Sequence, residues 1–191
     1  DELIVLDIDA TVENREHNYK MITQLAAECR MPLCYGGGIK SVEQAQMIIK
    51  SGVEKVAISS ALIDNPELVR DMSRAIGRQS VVAVLDVKKT MFGGYDIYIN
   101  NGKKKIKHDL FKFSKQLESL GIGELVINSI DNDGVMKGYD LKLADKIRDV
   151  VDLPITVLGG AGSTDHILDL IDKHKIIGAA AGSLFVFKGV Y

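Results

Sequence analysis

The sequence predicts an α/β fold, specifically a (β/α)8 TIM barrel built from two half-barrel repeats, on three observations. Apolar runs alternate with helical patterns along all 191 residues, which implies parallel strands joined by crossovers. The chain also repeats itself. ELIVLDID at 2–9 matches ELVINSID at 124–131, an offset of 122. Met31-Pro32-Leu33, followed by Gly37-Gly38, matches Leu153-Pro154-Ile155, followed by Gly159-Gly160, at the same offset, and after one inserted residue Ser60 falls opposite Ser183. Alternation alone also suits a doubly wound sheet, but a duplicated half of four βα units closes as a barrel. Third, acidic residues, serines and glycines gather where the strands end, the usual place for chemistry in this barrel.

Strands are expected at 2–9, 33–37, 55–60, 81–86, 124–131, 155–160 and 177–183. VVAVLD at 81–86 reads as a strand buried on both faces, its valines running straight into Asp86. Helices are expected over 41–52, with Ser41 as cap and Glu43 in the opening turn, and over 65–77, with Asn65 and Pro66 at its start and Gly77 at its end. Residues 93–109 alternate apolar and polar around Asn100-Asn101-Gly102, a β-hairpin pattern. In the repeat register VVAVLD is strand 5, the first of the second half. Its partner falls ahead of residue 1, so the repeat predicts a first βα unit, absent from this chain, with an aspartate equivalent to Asp86. Residues 1–191 are then one barrel domain holding strands 2 to 8. Seven strands leave two open edges, for which aggregation or swapped dimers are expected.

Composition narrows the function classes. The chain is 46% hydrophobic and 26% charged with a net charge of −2, a globular balance without general attraction for nucleic acid or acidic membranes. No apolar stretch approaches the ~20 residues of a membrane span, and no signal-peptide pattern opens the chain. Cys29 and Cys34 are too few for a disulfide framework or a four-cysteine zinc site. The expected compartment is the cytoplasm, with reduced thiols. His17, His108, His166 and His174 lack ligand spacing, so neither a metal site nor a cofactor is expected; His166 reads as a cap or surface residue, and KKKIKH at 103–108 as a solvated hairpin end.

Two strand-end clusters look like phosphate sites. YGGGIKS (35–41) with Ser59-Ser60, and LGGAGST (158–164) with Gly182-Ser183, repeat one device half a barrel apart. Backbone amides at loop–helix junctions bind dianions, whereas glycines serving only tight turns are the plain alternative. Two such sites imply a substrate with a phosphate at each end. Asp86, between them, suits proton transfer to the middle of the substrate; the alternative is an ion pair with Lys88 or Lys89. Asp7 reads as a structural acceptor, and Asp131 and Asp133 as members of an Asx-type turn.

LDID, YGGGIKS, KVAISSALIDNPELV, VVAVLDVKK, ELVINSIDNDGVMKGYDL and VLGGAGSTDH, in this order, resemble the cyclase subunit of imidazole glycerol phosphate synthase, from that family's second strand onward. The resemblance implies a lyase of histidine biosynthesis that combines ammonia with a bisphosphorylated aminoimidazole carboxamide ribulotide. Its products are imidazole glycerol phosphate and an aminoimidazole carboxamide ribotide. It implies a glutaminase partner docked on the N-terminal face and supplying the ammonia through the barrel. Asp86 matches a catalytic aspartate. Gly37, Gly38, Ser59 and Ser60 fall at one phosphate site, where the family usually has Asn-Thr for Ser-Ser. Asp131, Asp133, Gly134, Gly159, Gly160, Gly182 and Ser183 fall at the other, and Asp7 at the substrate-facing strand ends. Glu2, Lys55 and Glu124 match three of four charged residues that gate the barrel's bottom. Departures stand at Asp9 and Asn128, where the family typically has threonine, at Leu158, where a serine precedes the glycine pair, and at Lys107-His108 in place of Thr-Gly. With INNGKKK and NSIDNDGVMKGYD they resemble a paralogous branch associated with surface polysaccharides, which passes ammonia to a nucleotide sugar. An isomerase of the same barrel, without ammonia, and a non-catalytic docking platform are the remaining alternatives; charged residues at the strand starts argue against the isomerase.

Overall fold

Each predicted strand forms, most of them shorter than the apolar run that predicted it. The computed structural model describes residues 1–8, 10–13 and 15–186. Two compact units make up the chain: Asp1–Val84 with Leu117–Gly123, and Leu85–Gln116 with Glu124–Tyr191.

The first unit contains β1 (Leu3–Leu6), α1 (Ala10–Glu13), α2 (Tyr19–Glu28), β2 (Leu33–Gly36), α3 (Val42–Lys50), β3 (Lys55–Ile58), α4 (Ser60–Asp64) and α5 (Leu68–Ile76). It also takes the opening half of β4 (Val81–Lys89). Its strands are parallel, with Val5 opposite Tyr35, Tyr35 opposite Val56 and Ala57 opposite Val82. Leu33, Cys34 and Tyr35 are buried along β2, as a strand covered on both faces requires. Ser41 starts α3 by accepting the Gln44 N–H, as its sequence position predicts. The start of α5 is different. Asn65 ends α4 through its N–H to Ala61, Pro66 and Glu67 form a turn, and helix begins only at Leu68. The run SALID is helical in its own right, so Asn65 closes one helix instead of opening the next.

The second unit contains the rest of β4, then β5 (Tyr95–Ile99), β6 (Lys104–Asp109), most of α6 (Leu110–Leu120), β7 (Glu124–Ser129), α7 (Leu141–Arg148), β8 (Ile155–Leu158), α8 (Thr164–His174), β9 (Gly178–Ala179) and α9 (Ser183–Val186). The predicted hairpin is β5–β6, turning through Asn100, Asn101 and Gly102, all at positive φ. It extends β4 past its apolar run, because Lys88 and Lys89 pair with Asp96 and Tyr95. β6 is exposed along its length except for Ile106, which is buried among its lysines. β9 is cut to two residues, Gly178 and Ala179, and a Cβ at Gly178 would lie 2.0 Å from Thr156 Oγ1.

Strand order is β1-β2-β3-β4-β7-β8-β9, with the hairpin off this path. Sequence order is kept from end to end, whereas a doubly wound sheet reverses at a switch point. The topology is therefore that of consecutive TIM-barrel units, as predicted. Among the described residues no helix is long and apolar enough to cross a membrane.

Candidate active site

The candidate residues fall into two groups, one in each unit. In the first unit Asp7 follows β1 directly. Its backbone N–H donates to Gly36 at 2.8 Å, and its carboxylate accepts the Ala10 N–H at 3.2 Å and the Arg15 guanidinium at 2.9 Å. Those bonds fit the structural role that the sequence suggests for Asp7. Gly37 and Gly38 have φ of +107 and +69, and a Cβ on Gly37 would lie 2.1 Å from the Asp7 carbonyl oxygen. Close approach of two strand ends therefore demands glycine at 37. Ser59 precedes α4 without its side chain capping the helix, and Ser60 is the first helical residue. At the strand starts the Lys55 ammonium meets Glu2 at 2.6 Å.

In the second unit Asp86 stands at the end of the apolar part of β4. Residues Val81 to Leu85 are buried and Asp86 is half-buried. Asn128 Nδ2, on the neighbouring strand β7, donates to Asp86 Oδ1 at 2.9 Å. Burial pushes the Asp86 carboxyl above its ordinary range; the Asn128 hydrogen bond opposes that, and the charge of Asp133 adds to it. Lys88 and Lys89 are exposed, and neither pairs with Asp86 among the described residues. The Lys89 backbone N–H donates instead to Asp131 at 2.7 Å, and the Asp133 N–H closes a turn onto Ser129. These acids therefore have different employments: Asp131 ties the β7 turn to β4, while Asp133 acts on Asp86 through its charge.

Two of the candidate glycines beside this group are demanded by contact and two are not. A Cβ would lie 2.6 Å from the Ser129 carbonyl at Gly159 and 2.0 Å from the Gly138 carbonyl at Gly160. Gly138 donates its N–H back to Gly160 at 2.8 Å. Gly134 and Gly182 have nothing within 4 Å of a would-be Cβ, and Ser183 opens α9. Glu124, at the start of β7, accepts the Thr156 hydroxyl at 2.6 Å. His166 lies in the first turn of α8 and accepts the Gly162 N–H, in keeping with a capping role. A cavity of about 380 Å³ is lined by Lys89, Asp131, Asn132, Tyr139, Asp140, Leu141 and Lys142. Tyr139 donates its hydroxyl to Ala180, and burial raises its pKa to about 12.

Asn128 is the site residue whose role the sequence did not disclose. It stood out only as a departure, although strand parity puts it on the same face of β7 as Glu124. It also faces a second departure, since Asn128 pairs in register with Leu158. Asp9, another departure, lies outside the described residues.

A family model described as "Histidine biosynthesis protein" matches residues 1–191. The chain is 55% identical over 192 residues to a Vibrio vulnificus protein named "Putative imidazole glycerol phosphate synthase subunit hisF3", covering all of this chain and 74% of that protein. It is 38% identical over 185 residues to the imidazole glycerol phosphate synthase subunit HisF of Streptococcus sanguinis, covering 97% of this chain and 73% of the relative. A Leuconostoc mesenteroides subunit of the same name is 38% identical over 188 residues, with 98% and 74% covered.

Proposed function

Because the chain belongs to the histidine biosynthesis protein family, whose matched relatives are named as imidazole glycerol phosphate synthase subunits, we propose that it is the cyclase subunit of such a synthase. In this reading it is an ammonia-dependent lyase. It converts a bisphosphorylated aminoimidazole carboxamide ribulotide to imidazole glycerol phosphate and aminoimidazole carboxamide ribotide. A glutaminase subunit on the N-terminal face supplies the ammonia. Asp86 is the general acid/base. Gly37, Gly38, Ser59 and Ser60 hold one phosphate, and Asp133, Gly134, Gly159, Gly160, Gly182 and Ser183 surround the other. Glu2, Lys55 and Glu124 line the ammonia entry.

The observation that carries this reading is Asp86 itself, a carboxylate at a strand end, held by an amide N–H and paired with no lysine among the described residues. A group with its pKa raised toward the working pH exchanges protons more readily than an ordinary aspartate. Supplying the bisphosphate and ammonium at alkaline pH and following loss of substrate absorbance tests it. Turnover that vanishes in Asp86→Asn supports the reading; a folded protein without turnover sinks it.

A second reading is favoured by one observation. The departures Asn128 and Leu158 are register partners on β7 and β8, and Asn128 touches Asp86. Two neighbouring departures, one of them bonded to Asp86, suit a changed acceptor, namely the branch that passes glutamine-derived ammonia to a nucleotide sugar. Turnover restricted to nucleotide-sugar acceptors would select it.

A further inference from the structure

The Asn128 side chain is only half used. Its Nδ2 donates to Asp86 Oδ1 at 2.9 Å, while its Oδ1 is buried without a hydrogen-bond partner among the described residues. A buried carbonyl left unpaired costs about 1–3 kcal/mol, so an atom of this kind in a site marks the place of a missing donor. The orientation of the amide follows from its neighbour: turned over, it would set an oxygen against the Asp86 carboxylate. Gly159 adds no side chain beside the acceptor, since a Cβ there would lie 3.3 Å from Asn128 Oδ1 and 2.6 Å from the Ser129 carbonyl. The Asp86 carboxylate and the Asn128 carbonyl thus stand side by side as acceptors, with the charge of Asp133 close enough to act on Asp86.

Acceptors of this kind select a ligand rich in donors. An ionised phosphate offers only acceptors, and the Asp86 carboxylate repels it. A hydroxyl brings one donor. Ammonia brings three N–H groups and keeps a lone pair for attack. We infer that Asn128 is a positioning residue for the amine nucleophile, steadying Asp86 with its N–H and accepting an N–H of ammonia with Oδ1. The inference rests on the ammonia-dependent reading of Asp86.

Steady-state kinetics of the intact protein, with the bisphosphate saturating, test it. Asn128→Leu keeps the size and loses both polar functions; its KM for ammonium is expected to rise about tenfold, with the KM for the bisphosphate little changed. Asn128→Thr, whose hydroxyl both donates and accepts, is expected to restore most of the ammonium affinity. A rise in both KM values together, or a fall in kcat alone, would mean a structural role and overturns the inference. A second measurement needs no turnover: the Asn128 side-chain amide signals of isotopically labelled protein are followed on adding ammonium chloride, with sodium chloride as control. A saturable shift specific to ammonium is expected, and an equal response to sodium, or none, overturns the inference. An ammonium-specific shift without bisphosphate turnover sinks the cyclase reading while Asn128 keeps its role. Turnover with an unaltered ammonium KM in Asn128→Leu does the reverse.

Discussion

Asp86 concentrates what a single residue does here. Its strand is buried through Leu85, so the carboxyl enters a poorly solvated place, and Asn128 offsets only part of that cost. General acid/base catalysis contributes about 10²–10⁴-fold, so Asp86→Asn is expected to lower kcat by that factor with the circular dichroism spectrum unchanged. The same carboxyl links stability to pH. Its folded pKa is raised above the ordinary 3.8; the stability it contributes is therefore present below that value and lost as pH rises through the folded pKa. Asp86→Asn should accordingly melt at a higher temperature than the unaltered protein at pH 7, with the difference closing as pH falls toward 4. An equal difference at both pH values would contradict this. The aspartate at the strand end was legible in the sequence, because a carboxylate ending an apolar run is a local pattern. Its partner was not, because Asn128 lies 42 residues away and reaches it only through the pairing of β4 with β7.

At the scale of elements, strand ends are shaped by what their glycines touch. Gly160, at φ +109, faces the Gly138 carbonyl at 2.0 Å from a would-be Cβ, whereas Gly93, at φ +78, has nothing within 4 Å. Gly93→Ala carries the left-handed penalty alone, about 1–2 kcal/mol. Gly160→Ala adds a backbone collision, and a loss of ~3 kcal/mol or more in urea unfolding is expected. Equal losses at both positions would mean that the collision is relieved at no cost. Helix starts show a similar division between local and distant causes. Asp140 caps α7 by accepting the Leu143 N–H at 3.0 Å, and the Tyr95 hydroxyl of β5 donates to the same carboxylate at 3.0 Å. Asp140→Ala is expected to cost about 2 kcal/mol, and Tyr95→Phe about half of that, read from unfolding midpoints at constant slope. The cap at Ser41 was readable from the sequence because a serine before an amphipathic run is a short-range signal. The displaced start of α5 was not, since SALID becomes helix at the end of β3 and takes Asn65 as its terminus.

For the whole molecule, the division into two units passes through β4, whose residues up to Val84 belong to one unit and from Leu85 to the other. Taking residues 1–191 as one domain, we expect far-UV circular dichroism and amide exchange to report one unfolding transition. Two separated transitions would make each unit a domain of its own. Strand order was legible because alternation and the 122-residue repeat are properties of the chain, and sequence order is the sheet order throughout. By itself, then, the sequence determined the class of fold, the succession of strands, and which residues stand at strand ends, since alternation and an internal repeat need no folded partner to be seen. Tertiary structure alone decided the partners: Asn128 and not a lysine beside Asp86, Lys89 for Asp131, Thr156 for Glu124. Hydrogen bonds depend on positions within a few tenths of an ångström, and only the pairing of strands distant in sequence sets those positions.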